Sequence, residues 1–319
     1  MKGSTDMANH GWRKPETSNR ATAIAPTMVC AIAALVAALC LTASPLIAQR
    51  APASPEPQVR LNPRSIAEAQ TDLLLDAATK LEPSRPDRPE IYFLGFASFA
   101  GQDVFKRELT AVQSIIDERF GTRGRSMLLL NHRDTTETYP LATPRNLALA
   151  LQAIGERMDA DKDVLMLFIT THGLPGRLAV DFSPTFRMRD LDPAGLARSL
   201  DDAGIKNRIL VISACYSGSF MPALANLDSI VITAARGDRT SFGCSNTRSW
   251  TYFGDAFFNR ALRQTRHLPD AFKQAYETVS GWEKTQKLTP SEPQIHLGTS
   301  LKPKLDALAR QLTEASPVR

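Results

Sequence analysis

The sequence predicts an α/β fold, a three-layer αβα sandwich around a mostly parallel central sheet, and three observations carry that expectation. The apolar runs Val164–Thr171 and Ile209–Cys215 are continuous and rich in β-branched residues, as strands covered on both faces are. Stretches with apolar residues at helical spacing separate such runs, and strands alternating with helices form parallel crossovers. At 319 residues, 43% hydrophobic and 22% charged, the chain is long enough to bury one sizeable core.

Taken in order, positions 1–48 stand apart. Arg13, Lys14 and Arg20 lead into Ala21–Ala48, which carries no charge and offers small residues at Ala43 and Ala48. This is the pattern of an export signal cleaved after Ala48. The apolar stretch between Pro26 and Pro45 also suits an uncleaved membrane anchor, so both readings of 21–48 stay open. Either one puts the folded part outside the cytosol, in the periplasm, secreted or tethered to the membrane. Residues 49–88 read as a proline-rich linker holding one amphipathic helix, Ser65–Leu81, which Pro83, Pro86 and Pro89 close off.

From 89 to 300 the alternation is regular. Strands are expected at Ile91–Phe96, Ser126–Leu130, Val164–Thr171, Asn207–Ala214 and Ser229–Ala235. Helices are expected at Asp103–Phe120, Thr143–Met158, Asp192–Ala203, Tyr252–Arg263 and Pro269–Gln286. Thr143 and Asp192 precede Pro144 and Pro193, the order of an N-cap and a first helical residue. Pro175–Gly176 marks a turn, with Arg177–Phe182 as part of a small hairpin over the sheet edge. Asn131–His132, at the end of the second strand, reads as a surface turn, with orientation of His172 as the alternative, and 301–319 as a tail with a helix at Lys304–Glu314.

Two of the strands end in reactive residues. Val164–Thr171 leads into His172–Gly173, and Asn207–Ala214 leads into Cys215. In open α/β sheets the carboxyl ends of the strands carry the chemistry. A cysteine at a strand end is by itself usually packing, and a lone histidine tells little. Both together, followed by small residues that leave room for a substrate backbone, are the parts of nucleophilic cysteine catalysis.

Other classes are disfavoured. The net charge of +5 is spread without a dense basic block or basic-aromatic stripe, so no nucleic acid partner is expected. No glycine-rich phosphate loop follows the first strand, and His10, His267 and His296 have no companions at metal-ligand spacing, so neither cofactor nor metal is expected. Of the four cysteines, Cys30 and Cys40 lie in the leader. Cys215 and Cys244 are expected to be free, or at most a reversible redox pair, because a permanent bond would block a nucleophilic Cys215.

The runs FITTHGLPG (Phe168–Gly176) and VISACYSGSF (Val211–Phe220), with ITAARGDRTSFGC (Ile232–Cys244) and WTYFGD (Trp250–Asp255), resemble the legumain-type (C13 family) cysteine peptidases. Those are relatives of the caspases and of the glycosylphosphatidylinositol transamidase subunit. The resemblance covers roughly Ile91–Ala261 and implies a caspase-like fold and a cysteine endopeptidase acting on protein or peptide. It implies His172 as general base and acid, Cys215 as nucleophile, and the backbone N–H groups of Gly173 and Cys215 as oxyanion donors. Ser241 and Asp255 match the family's specificity pocket. Tyr216 stands where an acid is common, and GFASFAGQDVF (Gly95–Phe105) lacks the family's basic residue, so an asparagine preference does not carry over. A transpeptidase or ligase using the same dyad, and an inactive envelope binding module of the same fold, remain as alternatives. Oligomeric state is not legible.

Overall fold

In the computed structural model, which describes residues 61–314, the first element is α1 (Pro63–Thr79), capped by Asn62, whose side-chain oxygen accepts from the Arg64 and Ser65 N–H groups. The expected leader at 1–48 and the start of the linker lie outside the described residues. Then come β1 (Ile91–Ala97), α2 (Asp103–Phe120), β2 (Ser126–Leu130), α3 (Pro144–Gly155) and β3 (Val164–Thr170). A two-stranded ribbon of β4 (Gly173–Leu174) and β5 (Arg177–Leu178) follows, turning through Gly176 at a φ of 71°. The chain continues through α4 (Pro193–Asp202), β6 (Arg208–Ser213), α5 (Met221–Leu224) and β7 (Ser229–Thr233). Next, α6 (Tyr252–Gly254) and α7 (Leu262–Gln264) flank a π-helical stretch, Asp255–Ala261. Last are α8 (Leu268–Thr285), β8 (Gln294–Leu297) and α9 (Lys302–Glu314).

The caps sit where side-chain chemistry places them. Thr143 accepts from the Asn146 N–H at 3.1 Å and Asp192 from the Gly195 N–H at 2.8 Å. Gly121 ends α2 at a φ of 70°, a left-handed conformation natural to glycine.

Six strands form one sheet in the order β2-β1-β3-β6-β7-β8, all parallel except β8, which runs antiparallel to β7. Alternate residues face opposite sides, so each strand feeds two cores. Ile91, Phe93, Val164, Met166, Phe168, Ile209 and Val211 pack with α2, α8 and the π-helical stretch. Tyr92, Leu94, Phe96, Leu165, Leu167, Leu210 and Ile212 pack beneath α3 and α4. This is the three-layer sandwich that the continuous apolar runs require. Strand order reverses direction between β1 and β3, the switch point where such sheets open a crevice at their carboxyl edge.

Three local features depart from expectation. Gln294–Leu297 is a strand; its four residues, three half-exposed and one exposed, are too few to show a period. Tyr252–Gln264 is helical throughout but widens into π geometry at Asp255. Asn131 and His132 are not a surface turn: they are 2% and 4% exposed. The Asn131 amide donates to the Ser98 and Ala142 carbonyls at 3.0 and 3.1 Å, joining the ends of β1 and β2 to the segment before α3. Leu308 of α9 and the preceding Leu301 belong to the core on the α2 side. Among the described residues, no helix is long and apolar enough to cross a membrane.

Phe168 is fully buried in β3, with its ring edge-on to Phe258 at 4.6 Å between centroids. Phe168→Ala is expected to lower the unfolding free energy by about 3–5 kcal/mol, read from urea denaturation.

Candidate active site

His172 and Cys215 meet because their strands are neighbours in register. β3 pairs with β6 so that Thr170 lies opposite Ser213, and each strand reaches its reactive residue two positions later. Both residues are half-buried at the carboxyl edge, beside the switch point. Behind them the backbones nearly touch: a Cβ on Gly173 would lie 1.9 Å from the Cys215 carbonyl oxygen, so only glycine fits.

The imidazole is held on three sides. Its Nε2 is 2.8 Å from the Gln102 Oε1, and its ring lies edge-on to Phe99 and Phe105, at 4.5 and 5.2 Å between centroids. An amide oxygen only accepts, so Nε2 carries the proton and Nδ1 is left bare. Burial among the rings pushes the His172 pKa below its ordinary value, which favours this neutral form.

The sulfur lies against the long loop after β7. The Ser241 N–H donates to Cys215 Sγ at 3.3 Å, and the Ser241 carbonyl and hydroxyl oxygens are 3.5 and 4.0 Å away. Among the described residues no hydrogen bond joins the thiol to the imidazole. An unliganded site of this kind can tighten only when substrate arrives. Tyr216 turns the chain sharply away with a φ of 55°, and its N–H donates to the Arg239 carbonyl at 2.7 Å. A left-handed tyrosine costs roughly 1 kcal/mol, which the surrounding contacts offset.

Cys244 is also free, and its thiol is pushed up to about 12 by burial and by the nearby Cys215 and Glu108 charges. Asp255 lies at the start of the π-helical stretch, where its carboxylate accepts from the Asn259 amide at 2.7 Å and pairs with Arg260 at 3.2 Å. Its charge is thus matched within its own helix. Among the described residues no three His, Cys, Asp or Glu side chains converge as metal ligands.

Two further residues shape this edge and were not singled out in the sequence. Gln102 precedes α2 as an ordinary polar residue, and only the fold carries it across from β1 to His172. Glu108 is fully buried, with one carboxylate oxygen accepting from the Thr251 N–H at 3.0 Å and the Thr251 hydroxyl at 2.7 Å, and the other from the Thr170 hydroxyl. The Thr251 hydroxyl also lies 3.0 Å from that of Ser213. One carboxyl therefore ties the ends of both reactive strands to α6. No periodicity reveals it, because Glu108 sits on the apolar face of α2 where a hydrophobic residue is the ordinary occupant.

Burial raises the Glu108 pKa to about 7, against 4.5 for an ordinary glutamate. Folding therefore favours its protonated form, and stability falls as pH rises through the window between those two values. Across it the loss is on the order of 3 kcal/mol. Glu108→Gln is expected to flatten this part of the stability profile, measured by denaturant unfolding at pH 4.5 and 8.

A search of curated proteins finds no match. Among solved structures, the chain is similar to the crystal structure of caspase-1 from Spodoptera frugiperda, at 14% identity and a TM-score of 0.47, over 66% of this chain and 87% of that one. A scan of family models matches residues 150–303 to the Peptidase C13 family, a span that includes both His172 and Cys215. Over those residues, just under half of the chain, the sequence is similar to the Peptidase C13 family, proteins of cysteine peptidase type.

Proposed function

We propose that the protein is a cysteine endopeptidase that cleaves peptide bonds through Cys215 and His172 by way of a thioester. The observation that carries this reading is the register of β3 and β6, which puts a sulfur and a bare imidazole nitrogen at the same level of one sheet edge.

His172 Nδ1 takes the thiol proton as Cys215 Sγ attacks the substrate carbonyl carbon, and the carbonyl electron pair moves onto oxygen. The N–H groups of Gly173 and Cys215 hold that oxyanion; the Cys215 N–H has no acceptor among the described residues. The imidazolium then protonates the leaving amine as the C–N bond breaks. Water, deprotonated by His172, resolves the thioester and releases the acid. Gln102 keeps the ring in the tautomer that these transfers need. Ser241 and Tyr216, which border the sulfur, form the binding side together with Asp255 at the start of the π-helical stretch. An amine in place of water would make the same intermediate a ligation, and product analysis with added amine separates the two. The charge pattern of 1–48 supports placing the domain at 89–300 outside the cytosol.

Cys215→Ala is expected to abolish peptide cleavage and labelling by an electrophilic peptide, while unfolding stays near that of the parent. Labelling of Cys244 instead, with cleavage intact, would refute the assignment. Gln102→Ala is expected to lower kcat by up to about a hundredfold with KM little changed, as a loss of positioning does. The acid limb of kcat/KM is expected below 6.5, the ordinary histidine value, because the ring must be neutral to act as base and burial favours neutrality.

A further inference from the structure

The edge of the sheet remote from Cys215 holds a cavity of about 290 Å³. Its apolar wall comes from the first turns of the strands, Ile91, Ile209 and Ile230, and from Leu268, Leu305 and Leu308 of the helices that cover them. At the mouth stand Arg266, His267, Lys302 and the carboxylate Asp306. His267 and Lys302 are matched, by Asp270 and Asp306 at 2.9 Å each. Arg266 is not: its Nε donates to the Arg119 carbonyl at 2.7 Å, and among the described residues no carboxylate pairs with its guanidinium.

The neighbours add to the imbalance. Arg119 and Arg263 also have no ion-pair partner among the described residues, and Arg119 Nε is buried with nothing to receive its hydrogen bond. Burial and the Arg266 and Arg263 charges hold the Arg119 guanidinium below its ordinary pKa, and the neighbouring Glu118 offsets them only in part. Like charges gathered beside an apolar recess are unfavourable unless an anion joins them. The recess is near the lower size limit of small-molecule sites and too apolar to suit a sugar or a nucleotide.

We propose that this cavity binds a medium-chain fatty carboxylate, the tail among Ile91, Ile209, Ile230 and Leu308 and the carboxylate on Arg266. The tail removes apolar surface from water, and the head supplies the charge that the arginines lack. A site here lies outside the catalytic edge and does not depend on the peptidase reading.

The test is calorimetric titration of the full chain with decanoate below its micellar concentration, with decanol and acetate as probes of the tail and the head alone. Decanoate is expected to bind at one site, more tightly than either probe. Arg266→Gln is expected to weaken decanoate roughly tenfold and leave decanol unchanged, with Arg266→Lys recovering most of the loss. Leu305→Trp, which fills the recess, is expected to remove both, and thermal unfolding without ligand reports whether each variant is folded. No decanoate binding, equal affinity for decanoate and decanol, or a decanoate affinity indifferent to Arg266→Gln would each overturn the proposal. So would binding to phosphatidylglycerol vesicles alone, which would make the arginines a surface contact.

Discussion

Because Thr170 lies opposite Ser213 across two parallel strands, the residues that follow them arrive at the same height. A slip of one position would turn every side chain of the strand to the other face and carry His172 away from Cys215. The two cores prevent it: Phe168 and Val211 belong to one side, and Ile169 and Ile212 to the other. Packing that looks remote from this edge is therefore what keeps the sulfur and the imidazole level with each other.

The start of α2 converts that alignment into a braced site. Gln102 reaches His172, and Arg107 donates to the Asn246 and Arg248 carbonyls at 2.7 and 3.1 Å, holding the loop that touches the sulfur. Asp103, between them, takes a hydrogen bond from the buried His132 at 3.0 Å. Glu108, further along the helix, binds the end of β3 directly and that of β6 through Thr251. Burying a carboxyl without a cation is costly, and its three donors keep that cost tolerable. Polar groups inside an apolar layer specify one geometry here, because each must find its partner.

Much of this was readable before any coordinates. Continuous apolar runs marked the central strands, Thr143–Pro144 and Asp192–Pro193 marked helix starts, and Asp103–Phe120 was bounded to the residue. The edge strand Gln294–Leu297 was not readable, since a short half-exposed strand has neither a run nor a period. Of the site, His172, Gly173, Cys215 and Ser241 stood out by their place at strand ends and in recognisable motifs, and the fold brings these together. Asp255 lies nearby but spends its charge on Arg260. Gln102, Glu108 and Thr251 carried no local signal, because their roles arise from contacts between segments far apart in sequence. His132 was misjudged for the same reason: Asp103, which draws it inward, lies nearly thirty residues earlier.

The core on the α2 side also bears on how the protein is made. It is assembled from Ile91 at one extreme and Leu308 at the other, so the part of this sheet face that α2 does not cover stays bare until α8 and α9 have emerged. Contacts of such long separation form late and slowly. A growing polypeptide of this sequence consequently lingers in an open state with much of its greasy surface bare.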